Sequence, residues 1–174
     1  KKILLTLLTF VFANCNSQNK FDLEKVMKME REDLIVMEID NYLNKKSNYG
    51  EEMGKLNSSQ KTLVIIGNLE REINNGGFNQ FYWNSSGNYA NETVESLKKI
   101  GAEKLAEIVN KANSEFPNGI VPKKREKRIK ILNLIQEKSA ENWNELDFKF
   151  YRPNEKTGKM EIENTSILLI EFIK

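Results

Sequence analysis

The sequence predicts an all-α fold, a single irregular helical domain over residues 22–174 with a connecting loop rich in Asn, Gly and aromatic residues. Two observations carry this prediction. Apolar residues recur at spacings of three and four along most of the chain, which is the period of a helix. Gly, Pro and Asn separate these runs, as turn-forming residues do between helices. The 174 residues, 39% of them hydrophobic, suffice for one core without a disulfide or a metal.

The first half of the domain contains two predicted helical regions. Apolar spacing indicates helix between residues 22 and 46, and a loop with two glycines follows over residues 47–56. Asn57 and Gln60 have the spacing of a capping box, in which each side chain bonds to the backbone N–H of the other residue. We therefore expect a second helix over residues 59–74.

The second half contains a long helical region and a basic helix. Apolar residues at helical spacing run from residue 94 to residue 112, with a break or kink at Gly101, and the turn at 117–119 ends the region. Pro122 suits a first helical turn, so a basic helix is expected from there to Ser139.

The C-terminal part of the chain predicts two further elements. Residues 143–158 look irregular, but Leu146, Phe148 and Phe150 alternate in the manner of a short strand. Residues 165–173 are apolar nearly all round, which is typical of a buried helix.

The N-terminus, KKILLTLLTFVFANCNSQ, has the layout of a secretion signal. Lys1 and Lys2 precede an apolar stretch of ten residues, too short to span a bilayer, and Ala13 lies two positions before the only cysteine, Cys15. This pattern resembles a lipoprotein signal, in which the peptide is cut before the cysteine and the thiol is lipidated. We expect a signal peptide over residues 1–14 and a lipidated tether over residues 15–21.

The alternative for this segment is an ordinary signal peptide that leaves Cys15 as a free thiol. A lone cysteine directly after an apolar segment favours lipidation and hence anchoring to a membrane. The expected location is the bacterial envelope. No acidic residues follow the cysteine at positions 16–20, which favours the periplasmic face.

Composition disfavours several classes of enzyme. The chain has no His, which removes the commonest general base, the usual zinc ligand and the Ser-His and Cys-His pairs. We expect neither a cofactor nor a metal. Carboxylate chemistry stays open, with Glu70 and Glu72 nearest the Asn/Gly/aromatic segment, and it is the least favoured function.

Net charge disfavours nucleic acid as a partner. The formal charge of +2 falls to zero when Lys1 and Lys2 leave with the signal peptide. One local excess remains in PKKREKRIK, residues 122–130. Its basic residues are either a solvated helix start or a docking site for an acidic partner or an anionic lipid surface. The candidate docking residues are Lys123, Lys124, Arg125, Lys127 and Arg128.

The segment NNGGFNQFYWNSSGNYANET, residues 74–93, stands out from its surroundings. Gly76 lies where the second helix must stop, and Gly77 lets the chain reverse; both are expected to adopt angles costly to other residues. Phe78, Phe81 and Tyr82 share one face of a helical turn, and Trp83 lies off that face. The segment is either a structural clasp, which helical spacing favours, or a ligand site.

These residues carry a resemblance to a known family. The run from residue 56 to residue 151 resembles the bacterial domain of unknown function shared with DNA mimic protein nineteen. The later LDFKFY, residues 146–151, matches the Leu-Asp and Phe-Tyr positions of that domain. The matching central residues are Asn75, Gly76, Gly77, Phe78, Gln80, Phe81, Tyr82, Asn84, Gly87, Tyr89, Ala90, Ile100, Gly101 and Ala102.

The resemblance implies a helical protein-interaction domain with no established catalytic residues. The member that gives the family its name imitates DNA through surface acidity and binds a transcription regulator. The neutral mature chain and the export signal depart from that pattern, so DNA mimicry is not expected. The leading expectation is a membrane-tethered interaction module of inhibitor or immunity type, whose protein partner the sequence does not name. The alternative is a glycan- or peptide-binding lipoprotein that stacks its ligand on Phe81, Tyr82 and Trp83.

Overall fold

A computed structural model describes residues 21–151 and 163–173, and this part of the chain is all-α. Three short 3-10 turns connect the α-helices, at Met53–Lys55, Ser85–Tyr89 and Pro117–Gly119. The seven α-helices of the described residues are α1 (Leu23–Val26), α2 (Glu32–Lys46), α3 (Ser58–Trp83), α4 (Ala90–Lys99), α5 (Glu103–Asn113), α6 (Arg125–Tyr151) and α7 (Thr165–Ile173).

Helix α3 lies at the centre and packs against α2, α4 and α6. Its C-terminal half contributes Ile73, Phe78 and Phe81 to the main core, which α4, α5 and α6 complete. Its N-terminal half forms a second core with α2 and α7, around Val64 and Leu43. The two cores explain why an apolar stripe runs along nearly the whole of α3.

The start of α3 confirms the predicted capping box. The Asn57 side chain accepts a hydrogen bond from the Gln60 N–H at 2.9 Å, and the Gln60 side chain accepts one from the Asn57 N–H at 3.2 Å. The helical region predicted for residues 22–46 is in fact two helices. The chain leaves helical geometry after Met27, and α2 starts at Glu32.

The short strand predicted around Phe148 is wrong, because α6 continues without interruption to Tyr151. Trp143, Leu146 and Phe150 are buried and follow one another at spacings of three and four, whereas Phe148 is 42% exposed. A period of two and a helical period coincide over so short a run, so alternation alone was misleading. The basic helix also starts at Arg125 rather than at Pro122, and it does not end at Ser139.

The last helix is less buried than its composition predicts. Leu169 and Ile170 of α7 lie in the cores, but Ile167 is 41% exposed. Among the described helices, none is long and apolar enough to cross a membrane. The predictions for residues 1–20, including Cys15, lie outside the described residues.

The helical assignment of residues 146–150 gives a test with a matched pair of phenylalanines. Phe150→Ala should lower the free energy of unfolding by about 3 to 5 kcal/mol, because it empties a buried site. Phe148→Ala should cost clearly less, since that side chain is part exposed. Urea unfolding of both variants measures the difference. A strand would place both rings on one face, and equal losses would therefore contradict the helix.

Candidate functional site

The Asn/Gly/aromatic segment begins with a break inside α3. Gly76 (φ −173°, ψ 21°) and Gly77 (φ 70°, ψ −169°) leave helical geometry, and residues 78–83 resume it. The angles of Gly77 belong to a region that only glycine populates readily. The value of φ at Gly76 is open to any residue, so the prediction that both glycines have costly angles holds for Gly77 alone. Asn75 is exposed beside the break.

Asp147 of α6 fixes this break. Its carboxylate accepts a hydrogen bond from the Phe78 N–H at 2.9 Å. A Cβ atom on Gly77 would collide with the same carboxylate, so the glycine also provides space. Burial raises the pKa of Asp147, and the bond from Phe78 opposes that shift. Two sequence features that lie 69 residues apart, the Gly-Gly-Phe run and the later Leu-Asp pair, are therefore in direct contact.

The aromatic side chains divide between core and surface. Phe78, Phe81 and Tyr82 are fully buried on one face, as their spacing predicts, while Trp83 is 41% exposed. The Tyr82 ring packs against Trp143 at 5.3 Å between centroids, and its hydroxyl donates to Asn113 Oδ1 at 2.8 Å. Burial raises the pKa of Tyr82 well above its usual value. A stacking platform of three exposed aromatic rings is therefore not formed.

Glu72 binds the returning loop to α3. Its Oε2 accepts hydrogen bonds from Gln80 Nε2 at 2.9 Å and Asn84 Nδ2 at 2.8 Å, and its Oε1 accepts one from Ser86 Oγ at 2.9 Å. Both oxygens are therefore engaged within the fold. Tyr89, at the end of this loop, bonds through its hydroxyl to the Gly50 carbonyl at 3.4 Å.

Arg128 is the largest departure from the sequence prediction, because its side chain is fully buried. It is not part of a docking surface. Its five N–H groups all donate to oxygens of the loops around it, an arrangement we call the Arg128 clamp. The acceptors are the carbonyls of Tyr82 (2.7 Å), Asn84 (2.8 Å), Pro122 (2.9 Å) and Lys123 (3.1 Å), and Asn88 Oδ1 (2.9 Å).

The guanidinium of the Arg128 clamp has no carboxylate partner within the described part of the chain. Burial, together with the charge of Arg125, lowers the pKa of Arg128 to about 10, so it remains charged at neutral pH. Carbonyls at the end of a helix carry partial negative charge, and they offset the buried cation here. Gly87 makes room for it: a Cβ atom there would lie 2.8 Å from Arg128 Nε.

The other basic residues of the segment stay at the surface. Lys123 pairs with Glu92 at 2.7 Å, which raises the pKa of the lysine, and it lies over the Tyr89 ring. Arg125 donates from Nε to the Trp83 carbonyl at 2.9 Å, and its guanidinium lies 5.9 Å from the centroid of the Trp83 ring. Lys124 and Lys127 are exposed.

Glu70 and Glu72 do not form a catalytic pair. Two positions along a helix place their side chains on nearly opposite sides, so Glu72 meets the loop while Glu70 lines a cavity of about 240 Å³ between α2, α3 and α7. Burial raises the pKa of Glu70, whose carboxylate accepts a hydrogen bond from Thr165. Asp40 lines the same cavity, but it is bound by Arg71 at 2.5 Å.

Sequence reasoning missed the roles of Asp147, Glu72 and Arg128. The sequence offered one signal for the role of Asp147, because this residue belongs to the Leu-Asp pair that matches the family. Neither Glu72 nor Arg128 differs in sequence pattern from the charged residues around it. The partners of Glu72, and three of the five acceptors of Arg128, follow the turn at Gly77 in the chain.

The Arg128 clamp gives a direct test. Arg128→Lys keeps the charge but has three donors for five acceptors, and each buried oxygen left without a partner costs about 1 to 3 kcal/mol. We expect a loss of several kcal/mol in the free energy of unfolding, measured with urea. Lys127→Met, one residue away and exposed, should change stability by less than about 0.5 kcal/mol. Equal unfolding midpoints for the two variants would show that the clamp contributes nothing.

The Gly77 break gives a second test, with Gly101 as its control. Both glycines have positive φ, but a Cβ atom on Gly101 has nothing within 4 Å, whereas one on Gly77 meets Asp147. Gly101→Ala should cost about 1 to 2 kcal/mol through backbone strain alone. Gly77→Ala should cost more, since strain and collision add. Thermal and urea unfolding report both values, and the reverse order would contradict the contact with Asp147.

Comparisons with known proteins support the resemblance seen in the sequence. The family model for DMP19-like protein matches residues 54–174, which is more than half of the chain and includes every residue of the Asn/Gly/aromatic segment. Curated proteins and solved structures gave no match. This family is not a known enzyme family, and it is of a protein-interaction or DNA-mimic type. The chain belongs to the DMP19-like protein family.

Proposed function

We propose that this chain is a non-enzymatic protein-interaction domain of the bacterial envelope, tethered to a membrane by lipid on Cys15. Within that class, the role we propose is that of an inhibitor or immunity-type protein, since such proteins act by binding a target. Membership of the DMP19-like family supports a binding role. The layout of residues 1–15 supports export and lipidation.

One observation carries the binding role: Trp83 is exposed on a backbone that arginines hold in place. Three successive carbonyl oxygens, those of Tyr82, Trp83 and Asn84, accept hydrogen bonds from Arg128, Arg125 and Arg128. A rigid exposed aromatic residue loses little conformational entropy when it meets a partner. Trp and Arg are also the side chains most enriched among residues that dominate binding energy.

The two carboxylates that contact the segment are engaged within the fold, which favours binding over catalysis. Glu72 accepts three hydrogen bonds from the loop, and Asp147 accepts the Phe78 N–H. The alternative function, binding of a glycan or peptide on Phe81, Tyr82 and Trp83, loses two of its three rings to the core. The interaction role needs only the surface around Trp83.

The tether is tested by labelling cells that express the full chain with a fatty acid. We expect the label to be incorporated, and Cys15→Ser to abolish it and release the domain from the membrane fraction. The domain itself should stay folded in that variant, because residue 15 precedes the first described helix. Equal membrane retention of the Cys15→Ser variant would overturn the proposed tether.

The binding role is tested by capture from envelope extracts. The full chain should retain a defined protein, and Trp83→Ala should lose it while its unfolding midpoint changes little. Leu134→Ala is the matched control, since Leu134 is a large apolar residue that is 83% exposed on α6. That variant should capture the protein as the wild type does. Equal capture by the Trp83 variant would remove Trp83 from the binding surface.

A further inference from the structure

We propose that the partner presents an acidic segment to the Trp83 surface, which we define as Trp83, Lys123, Lys124 and Arg125. This inference rests on the proposed function, which it deepens by naming the chemistry of the partner. A suitable ligand carries several Asp or Glu residues around one apolar side chain. The carboxylates meet the cations, and the apolar side chain meets the free part of the Trp83 ring.

The cations of the Trp83 surface have unused bonding capacity. In residues 21–151 and 163–173, Lys124 forms no ion pair, and it is exposed. Arg125 uses Nε for the Trp83 carbonyl, and within the described residues its two terminal nitrogens form no ion pair. A guanidinium presents such a pair of N–H groups to a carboxylate in a fork. Only Lys123 is already paired, with Glu92.

The position of the cations adds to the attraction for an acidic segment. Lys124 immediately precedes α6 and Arg125 is its first residue, where the helix dipole is positive and like charge is unfavourable. Glu126 is the single acidic residue of the run, and within the described residues it forms no ion pair with them. Carboxylates from a partner would relieve this local excess of positive charge.

A protein segment fits this surface better than a lipid bilayer does. Interfacial binding depends on buried apolar area, and Trp83 is the only large apolar side chain of the surface, with Arg125 over its ring. The surface is also displaced from the point where the tether enters. Phe21 lies in a cavity with the start of α3, whereas Asn84 is bonded to Glu72, roughly 20 Å further along the helix axis.

Fluorescence of the protein provides a specific readout. The chain has two tryptophans, and Trp143 is only 1% exposed, so quenching by acrylamide reports on Trp83. The probe is a synthetic peptide of Asp and Glu residues around one central Leu. A peptide of the same length with Lys in place of the acids is its control. We expect the acidic peptide, and not the basic one, to protect Trp83 from acrylamide at physiological salt.

A charge-reversed variant tests which cations are responsible. Lys124→Glu should weaken binding of the acidic peptide by about fivefold or more, because one attractive charge becomes repulsive. The matched control is Lys111→Glu, which makes the same change in net charge at an exposed lysine elsewhere. The control should bind within about twofold of the wild type, since exposed charges beyond a Debye length are screened.

Three outcomes would overturn the proposal. The first is no protection of Trp83 by the acidic peptide, and the second is equal weakening by both charge-reversed variants. The third is stronger protection of Trp83 by vesicles of anionic phosphatidylglycerol, or by duplex DNA, than by the peptide. The measurement uses the full chain with or without its lipid, so failure of lipidation leaves it intact. A chain that binds the peptide but captures no envelope protein would support the acidic-segment proposal and contradict the proposed binding role in the envelope.

Discussion

The structure depends above all on the burial of one cation, the guanidinium of Arg128, among neutral oxygens. An isolated charge in a protein interior is costly, and a carboxylate usually compensates it. Here the compensation is geometric, because five N–H groups meet five acceptors at hydrogen-bonding distance. The acceptors come from the end of α3, from the loop that follows and from the approach to α6. One side chain therefore joins three parts of the chain by hydrogen bonds.

Helix α6 holds the short helical run over residues 78–83 at both of its ends. At the N-terminal end, the anionic side chain of Asp147 accepts the Phe78 N–H, and at the C-terminal end the cationic Arg128 binds the Tyr82 carbonyl. Each charge has the sign that the helix dipole favours at that end. Two glycines make the arrangement possible, since Gly77 and Gly87 leave room where a Cβ atom would meet Asp147 and Arg128. The Asn/Gly/aromatic segment is thus mainly a structural clasp.

The same arrangement explains why Trp83 is suited to recognition. Its neighbours Phe81 and Tyr82 are buried, and the carbonyls on either side of it are bound by Arg128, so its backbone has little freedom. The ring is nevertheless 41% exposed, and the guanidinium of Arg125 lies over it. Arg128 and Asp147 bind backbone groups of the fold itself, whereas Trp83 and Lys124 are exposed to other molecules. The buried rings and Trp83 of the proposed contact surface therefore belong to one segment.

The sequence by itself determined the all-α class, the capping box of α3 and the shared face of Phe78, Phe81 and Tyr82. These features depend on residues three or four positions apart, so local pattern is sufficient to predict them. The sequence also indicated the family, because its central motif is long enough to be specific. It failed at Leu146 to Phe150, where alternation over five residues fitted either a strand or a helix.

Only the tertiary structure decided which charged residues are internal. Arg128 and Lys127 are neighbours in one basic run, yet one is fully buried and the other is exposed. The difference arises from carbonyls more than 40 residues earlier in the chain, which reach Arg128 after the turn at Gly77. Asp147 and Glu72 owe their roles to the same turn. A pattern of neighbouring residues contains no information on such distant partners, because burial of a charge is decided by the acceptors that surround it in three dimensions.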